Sequence, residues 1–260
     1  MKFPIFQVDA FTDHVFGGNP AAVVPLSSWL PVETMQKIAM ENNLSETAFY
    51  VEEHEAFGLR WFTPEVEVDL CGHATLATAH VLFSELGFAG NELKFDTKSG
   101  RLTVKKADIG YSMNFPTDDM PQVEAPPILF QALGIKRTSK TYRSDDYMVV
   151  LESEEEVAAL EPDFRFLKEV DARGIIVTAP GENVDFVSRF FAPQVGIDED
   201  PVTGSAHTKT TPYWAKELGK SELLARQISK RVGDLTVRHL GDRVEIEGQA
   251  VTFLRGEIEV

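Results

Sequence analysis

The chain of 260 residues contains a single cysteine, Cys71. It can therefore form no internal disulfide and no thiolate-rich metal centre, and it suits a reducing cytoplasm, the expected location. Long apolar runs are also missing. None approaches the roughly 18 residues of a membrane span, so no membrane association is expected. The opening stretch, MKFPIFQVDAFTDHVF, lacks the basic start, apolar run and small-residue cleavage site of a secretory leader. Its alternation puts Phe3, Ile5 and Gln7 on one parity, as in a first strand. Basic residues are scarce: 25 Lys and Arg stand against 41 Asp and Glu, a net charge of −16 at pH 7. A field of that sign repels nucleic acid and anionic lipid surfaces. It also disfavours an anionic small molecule unless donors are concentrated locally. Helix N-termini supply such donors, because their first amides have no partner inside the helix.

What the chain does have is a signature written twice. Residues Arg60–His80 read RWFTPEVEVDLCGHATLATAH, and Arg189–His207 read RFFAPQVGIDEDPVTGSAH. Each opens on Arg, two aromatics, a small residue and Pro, runs through an extended stretch to Asp69 or Asp198, and reaches a Gly/Thr turn before Ala-His. The alignment sets Asp200 opposite Cys71. Two such strand–turn–helix units would present two helix N-termini to one central cleft. Helical spacing predicts a central helix over Gly72–Leu86, stopped by Gly87, and another from about Gly204 to Leu218, stopped by Gly219. Short strands surround both, and Pro116, Pro121, Pro126 and Pro127 mark a linker. The fold class expected is α+β, with lobes over 1–116 and 117–260 and a final strand able to pack back on the first lobe.

Four places could carry chemistry. In EDPVTGSAH, Thr203 or Ser205 could cap the second helix, and Gly204 admits a ligand close to the backbone. On a functional reading Gly204 and Ser205 hold a carboxylate and Asp200 a polar substituent; on a plain one, Asp200 caps a helix. In DLCGHAT, Gly72 precedes the first helix and His73 sits in its first turn, where the positive helix end favours a neutral imidazole. His73 is then a substrate-orienting donor, a proton-transfer partner, or an ordinary hydrogen-bonding residue. Cys71, beside the same helix start, is either a nucleophile or base or an inert buried thiol. Glu46 enters the apolar run Thr47–Tyr50 directly after a helix ends, and a carboxylate partly desolvated there would have a raised pKa suited to carbon-bound protons. No metal site is expected: His73 and His80 lie seven apart, without an HExxH pattern or a nearby ligand set.

The runs VDAFTDHVFGGNPAAVV, ENNLSETAFY, LRWFTPEVEVDLCGHATLATAH and SRFFAPQVGIDEDPVTGSAH, in that order, resemble the PhzF-like (phenazine biosynthesis protein F) family over nearly the whole chain. The resemblance implies a diaminopimelate-epimerase-like fold of two pseudo-symmetric lobes, each wrapping strands around a central helix, with the active site between them. It implies a homodimer, no cofactor, and isomerisation of the kind that shifts a proton between carbons of a dihydro-hydroxyanthranilate. The family's acid/base glutamate matches Glu46, its histidine His73, and its aspartate and serine Asp200 and Ser205. Two stretches depart from the pattern. Thr208-Lys209-Thr210-Thr211 replaces a mostly apolar helix turn, and Val232 replaces a glycine in Ser229–Gly233.

Together these readings lead to a cofactor-free isomerase acting on a small anionic, carboxylate-bearing metabolite. Glu46, His73 and Asp200 form the catalytic set, and Gly72, Gly204 and Ser205 the binding set. Two other readings are a racemase or epimerase that depends on Cys71, and a non-catalytic dimer that binds a metabolite or a protein partner.

Overall fold

The computed structural model describes residues Met1–Val260. The chain is α+β and divides into two units, Met1–Phe115 with Glu245–Val260, and Pro116–Val244. The first contains β1 (Lys2–Ala10), β2 (Asn19–Leu26), α1 (Val32–Asn42), β3 (Glu46–Glu53), β4 (Ala56–Phe62), β5 (Glu67–Val68), α2 (Gly72–His80), β6 (Glu92–Thr97), β7 (Gly100–Lys106) and β8 (Tyr111–Pro116). The second contains β9 (Gln122–Val123), α3 (Pro127–Leu133), β10 (Lys140–Arg143), β11 (Tyr147–Val150), α4 (Glu154–Ala158), α5 (Phe164–Leu167), β12 (Ile175–Pro180), β13 (Phe186–Ala192), β14 (Ile197–Asp200), α6 (Gly204–Leu218), β15 (Glu222–Gln227) and β16 (Gly233–His239). Along β17 (Arg243–Gly248) the chain returns to the first unit, where β18 (Ala250–Glu259) lies antiparallel to β1.

The two units share one pairing scheme. In the first, β1–β2 is antiparallel, β2–β3 parallel, β3–β4 and β4–β5 antiparallel, β4–β6 parallel and β6–β7 antiparallel. In the second, β10–β11 is antiparallel, β11–β12 parallel, β12–β13 and β13–β14 antiparallel, β13–β15 parallel and β15–β16 antiparallel. The repeated arginine has the same task in each. Arg60 forks onto Glu67 at 2.7 and 2.8 Å, and Arg189 onto Glu199 at 2.7 and 2.9 Å. Each guanidinium also lies over the aromatic two residues on, Phe62 or Phe191. These forks join each long strand to the short one that leads to the central helix.

The structure corrects the repeat alignment at its far end. The residues preceding the two helices are Cys71 and Thr203, so Gly72 corresponds to Gly204, His73 to Ser205, and Cys71 to Thr203 rather than Asp200. The second copy gains length from a 3₁₀ turn at Pro193–Val195, closed by Gly196 at φ 89°. The matching Ala-His pairs are likewise not equivalent. His80 ends α2, whereas His207 lies in the first turn of α6. There burial pushes its pKa down to about 4, and its ring meets the Thr203 carbonyl at 2.8 Å.

Each central helix solves its burial differently. In α2 every residue from His73 to Ala79 is buried, and these are small or apolar apart from the histidine; the hydroxyls of Thr75 and Thr78 donate to the carbonyls of Cys71 and Ala74. The predicted helix over Gly72–Leu86 continues after His80 as one wide turn, with the Leu86 amide donating to the Val81 carbonyl. In α6, Pro212 lacks the amide that would serve the Thr208 carbonyl, and the Asp118 amide serves it instead at 3.3 Å. That contact carries Asp118 to Lys209, whose side chain is only 4% exposed. Its ammonium lies 3.1 Å from Asp118, 3.0 Å from Asp145 and 3.0 Å from Asp146. Arg173 forks onto the same Asp146 carboxylate. Burial alone would lower the Lys209 pKa, but the carboxylates outweigh it and hold it above its ordinary value. The departure at 208–211 is thus a compensated internal charge, and the linker region supplies one of its partners.

Two predictions follow from these departures. Removing the Lys209 charge takes one of two cations from the buried Asp146, while Asp118 and Asp145 still reach water, so Lys209→Met should destabilise by about 3 kcal/mol, the low end for a broken buried pair because Arg173 still serves Asp146. A urea midpoint that does not move in that variant would contradict the charge account. Val232 occupies the left-handed region at φ 53° with its side chain 40% exposed, so it strains the backbone and buries little. Val232→Gly should raise unfolding free energy by about 1 kcal/mol, read as a higher urea midpoint at unchanged slope.

Candidate active site

Because β2 and β3 run parallel, with Ala21 opposite Glu46, the starts of both strands lie at one end of the sheet. Asn43, at φ 49°, ends α1 and turns the chain into β3, so the first strand residue is Glu46. Helix α2 packs on β1, β2 and β3. Its first turn brings His73 to Asn19 and Glu46. The ring atom Nδ1 of His73 lies 3.1 Å from the Asn19 side-chain amide, and Nε2 lies 3.1 Å from Oε2 of Glu46. The angle to Oε2 is that of an ion pair rather than an aligned hydrogen bond. Sγ of Cys71 completes the group, 3.6 Å from Nδ1 and 4.0 Å from Nε2. All three side chains are buried, Glu46 at 8% exposure, Cys71 at 7% and His73 at 4%.

Burial raises the charge sensitivity of this cluster. It pushes the Cys71 thiol up to about 11, reinforced by the Glu46 carboxylate. Cys71 is therefore a neutral thiol near pH 7 despite its position at a helix start. For His73, burial pulls the pKa down, but the negative partners Cys71 and Glu46 outweigh it and hold it well above 6.5. With the thiol protonated, the Glu46 carboxylate is the partner that acts near neutrality. The Glu46 charge at 3.1 Å opposes the helix-end effect that would favour a neutral imidazole. As placed, Asn19 Nδ2 faces Nδ1, and a charged ring, which donates from both nitrogens, would need that amide turned to present its carbonyl oxygen.

In the second unit Asp200 ends β14 and is 8% exposed. Its carboxylate accepts from the Thr203 hydroxyl, and its backbone carbonyl accepts from the Gln227 amide at 2.6 Å and the Ser229 hydroxyl at 3.2 Å. Gln227 also accepts from the Thr203 amide at 2.8 Å, so one buried side chain clamps both ends of the turn into α6. Thr203 precedes the helix, but its hydroxyl is spent on Asp200 rather than on a helix amide. Gly204 opens α6 and Ser205 follows, its hydroxyl accepting from Arg173 at 3.2 Å. Gly72 likewise opens α2.

Of the residues singled out from sequence, Gly72, His73, Cys71 and Glu46 are brought together in the first unit, and Asp200, Gly204 and Ser205 in the second. Sequence reasoning missed Asn19, Gln227 and Arg173. Asn19 lay in the GGNP turn as an unassigned polar residue; Gln227 gave no signal beyond being a polar residue in the strand Glu222–Gln227. The second unit also shows no counterpart of Glu46. Phe49 pairs with Arg60 and Val177 with Arg189, so the position matching Glu46 is Gly174. A Cβ there would stand 2.3 Å from the Phe190 ring, so any side chain would require that ring to move.

The raised His73 pKa can be read directly. In the native protein the His73 ring should titrate above pH 6.5 by imidazole NMR, and Glu46→Gln should move the midpoint down by more than about 1 unit, because the desolvation remains while the charge goes. A raised folded-state pKa stabilises fully below 6.5 and ceases to do so as pH rises through the folded value. The native protein should therefore lose stability relative to Glu46→Gln over that upper window. A midpoint that stays put in the variant would refute the pairing.

Comparison with known proteins agrees with this architecture. A family model described as phenazine biosynthesis-like protein matches residues 8–256. An "uncharacterized isomerase" of Pseudomonas aeruginosa is 51% identical over 260 residues, covering 100% of both chains. A crystal structure of a PhzF-family phenazine biosynthesis protein from Enterococcus faecalis superposes with a TM-score of 0.97 at 49% identity, covering 100% of each chain. A hydroxyproline epimerase from Agrobacterium vitis shares the fold alone, with a TM-score of 0.62 at 10% identity over 99% of this chain and 92% of that one. No helix is long and apolar enough to cross a membrane. With one architecture, one motif order and full-length identity to named isomerases, the chain belongs to the phenazine biosynthesis-like (PhzC/PhzF) family of isomerases.

Proposed function

We propose that the chain moves a proton between two carbons of a small carboxylate-bearing metabolite, with Glu46 as the acid/base and no cofactor. The observation that carries this reading is the buried Glu46 carboxylate, whose Oε2 has no aligned hydrogen-bond donor and is countered only by the His73 ring. The ionised carboxylate takes a proton from an activated carbon. The electron pair left behind shifts along the substrate's conjugated system, and Glu46 returns the proton to the second carbon. His73 supplies a donor to the substrate beside Glu46. In the second unit, Gly204 and Ser205 offer first-turn amides and a hydroxyl to the substrate carboxylate, and Asp200 a polar acceptor to an amino or hydroxyl group. Gly72 plays the equivalent backbone role at α2. A cytoplasmic homodimer is part of the same reading.

A reading through Cys71 as a racemase base is disfavoured by its thiol, pushed up to about 11, and by Thr203 rather than a second thiol at the corresponding position. The test is exchange in deuterium oxide over a metabolite pool, read as mass shifts. Native protein should label its substrate, and Glu46→Gln should slow labelling by roughly 10²–10⁴-fold. Undiminished labelling in Glu46→Gln, or its complete loss in a folded Cys71→Ser, would sink the assignment.

A further inference from the structure

We propose that Glu46, Cys71 and His73 form a binding site for one thiophilic divalent cation of the zinc class, and that its occupation switches the enzyme off by taking up the Glu46 carboxylate. Sequence spacing hides this set, because Glu46 reaches it from a different element, β3 rather than α2. In the folded chain one ligand atom from each residue falls within 4.8 Å of the other two. Nε2 of His73 stands 3.1 Å from Oε2 of Glu46 and 4.0 Å from Sγ of Cys71. A tetrahedral zinc ion, with bonds of about 2.3 Å to sulfur and 2.0–2.1 Å to nitrogen and oxygen, needs its ligand atoms about 3.3–3.6 Å apart. The side chains meet that need with shifts of well under an ångström each.

The buried state of the group argues for a ligand as well. Glu46 is 8% exposed, and its Oε2 makes no aligned hydrogen bond beyond its 3.1 Å ion pair with His73, so a cation held between the two would supply the coordination that this oxygen lacks. The donor set selects the metal. One sulfur, one imidazole nitrogen and one carboxylate oxygen suit zinc, with a fourth position left to water, and they do not suit magnesium or calcium, which require a shell of oxygens. The Asn19 side-chain amide, whose Nδ2 stands 3.1 Å from Nδ1, would provide the outer partner that a ligating histidine needs once it is turned to present its carbonyl oxygen to Nδ1–H. On binding, the thiol proton of Cys71, and the Nε2 proton where His73 is charged, pass to solvent; no atom is oxidised or reduced.

The binding stands on geometry alone, whereas the switching-off rests on the proposed role of Glu46, and the test separates the two. Untagged protein is titrated with zinc by calorimetry, and with cobalt as a spectroscopic substitute. One ion per chain should bind, cobalt should give a thiolate charge-transfer band, and Cys71→Ser should lose the band and weaken zinc by more than the roughly 10–100-fold of an outer-shell change. Glu46→Gln should weaken zinc too, while the surface variant His54→Gln should not. Thermal melts confirm that each variant is folded. Native protein with no stoichiometric zinc binding and no cobalt–thiolate band overturns the site, whatever its activity. Stoichiometric binding in a chain whose deuterium exchange is indifferent to Glu46→Gln upholds the site and overturns the switch. Where both hold, zinc should abolish exchange in proportion to occupancy, a chelator should restore it, and the exchange of Cys71→Ser should no longer respond to zinc.

Discussion

The contact between Glu46 and His73 is the constraint around which the first unit is arranged. The side chains are 11% and 5% exposed, so the pair gives up most of its hydration for one Coulombic partner. Buried pairs of this kind contribute little to stability when set against apolar replacements. The fold nevertheless devotes several elements to it. Parallel pairing of β2 with β3 brings Asn19 and Glu46 to one sheet end, and a wholly buried α2 delivers His73 to them. A helix so buried must be built from small residues, which is why Ala74, Ala77 and Ala79 alternate with threonines that satisfy their hydroxyls on the helix itself.

Duplication accounts for the scaffold and divergence for the chemistry. Both units repeat one pairing scheme and one Arg–Glu fork, so the turn leading to each central helix is held in the same way. At the helix starts the glycine and the alanine two residues on are kept, and the residues around them differ. His73 faces Ser205 across the comparison, and Cys71 faces Thr203. A titrating group with an adjacent carboxylate is thus matched by a hydroxyl that can bind an anion but does not titrate near neutrality. The second turn is then stiffened by Gln227, which holds the Asp200 carbonyl and the Thr203 amide at once.

The strands, the two central helices and the doubled motif were legible because they rest on local signals: alternation, glycine stops, and the Arg-aromatic-aromatic-x-Pro run. The cluster at Glu46 was legible only in part. Its residues come from three elements, and nothing local says that Asn19, Glu46 and His73 meet; the resemblance to a known family, not periodicity, singled out Glu46. The sign of the His73 shift was misread for the same reason. A helix start is visible in the sequence, while the carboxylate that outweighs it is brought there by sheet pairing. The run at 208–211 read as a departure because a lysine in a buried helix face looks costly until Asp118, Asp145 and Asp146 arrive from elsewhere.

The asymmetry between the units bears on the kind of isomerisation the fold can run. Inversion at one carbon with two bases needs a proton acceptor on each face of the substrate. The position that corresponds to Glu46 in the second unit is Gly174, where a side chain would have to displace the Phe190 ring, 2.3 Å from its absent Cβ. Thr203 and Ser205, at the positions of Cys71 and His73, bear hydroxyls too weakly acidic to alternate as base and acid near pH 7. Burial holds Cys71 as a thiol, and the Asp200 carboxylate at the second turn is engaged by the Thr203 hydroxyl. On the proposed reading, Glu46 alone removes the proton and restores it. A single base that performs both steps must deliver on the face from which it took, so that proposal implies a same-face shift between carbons rather than inversion at one.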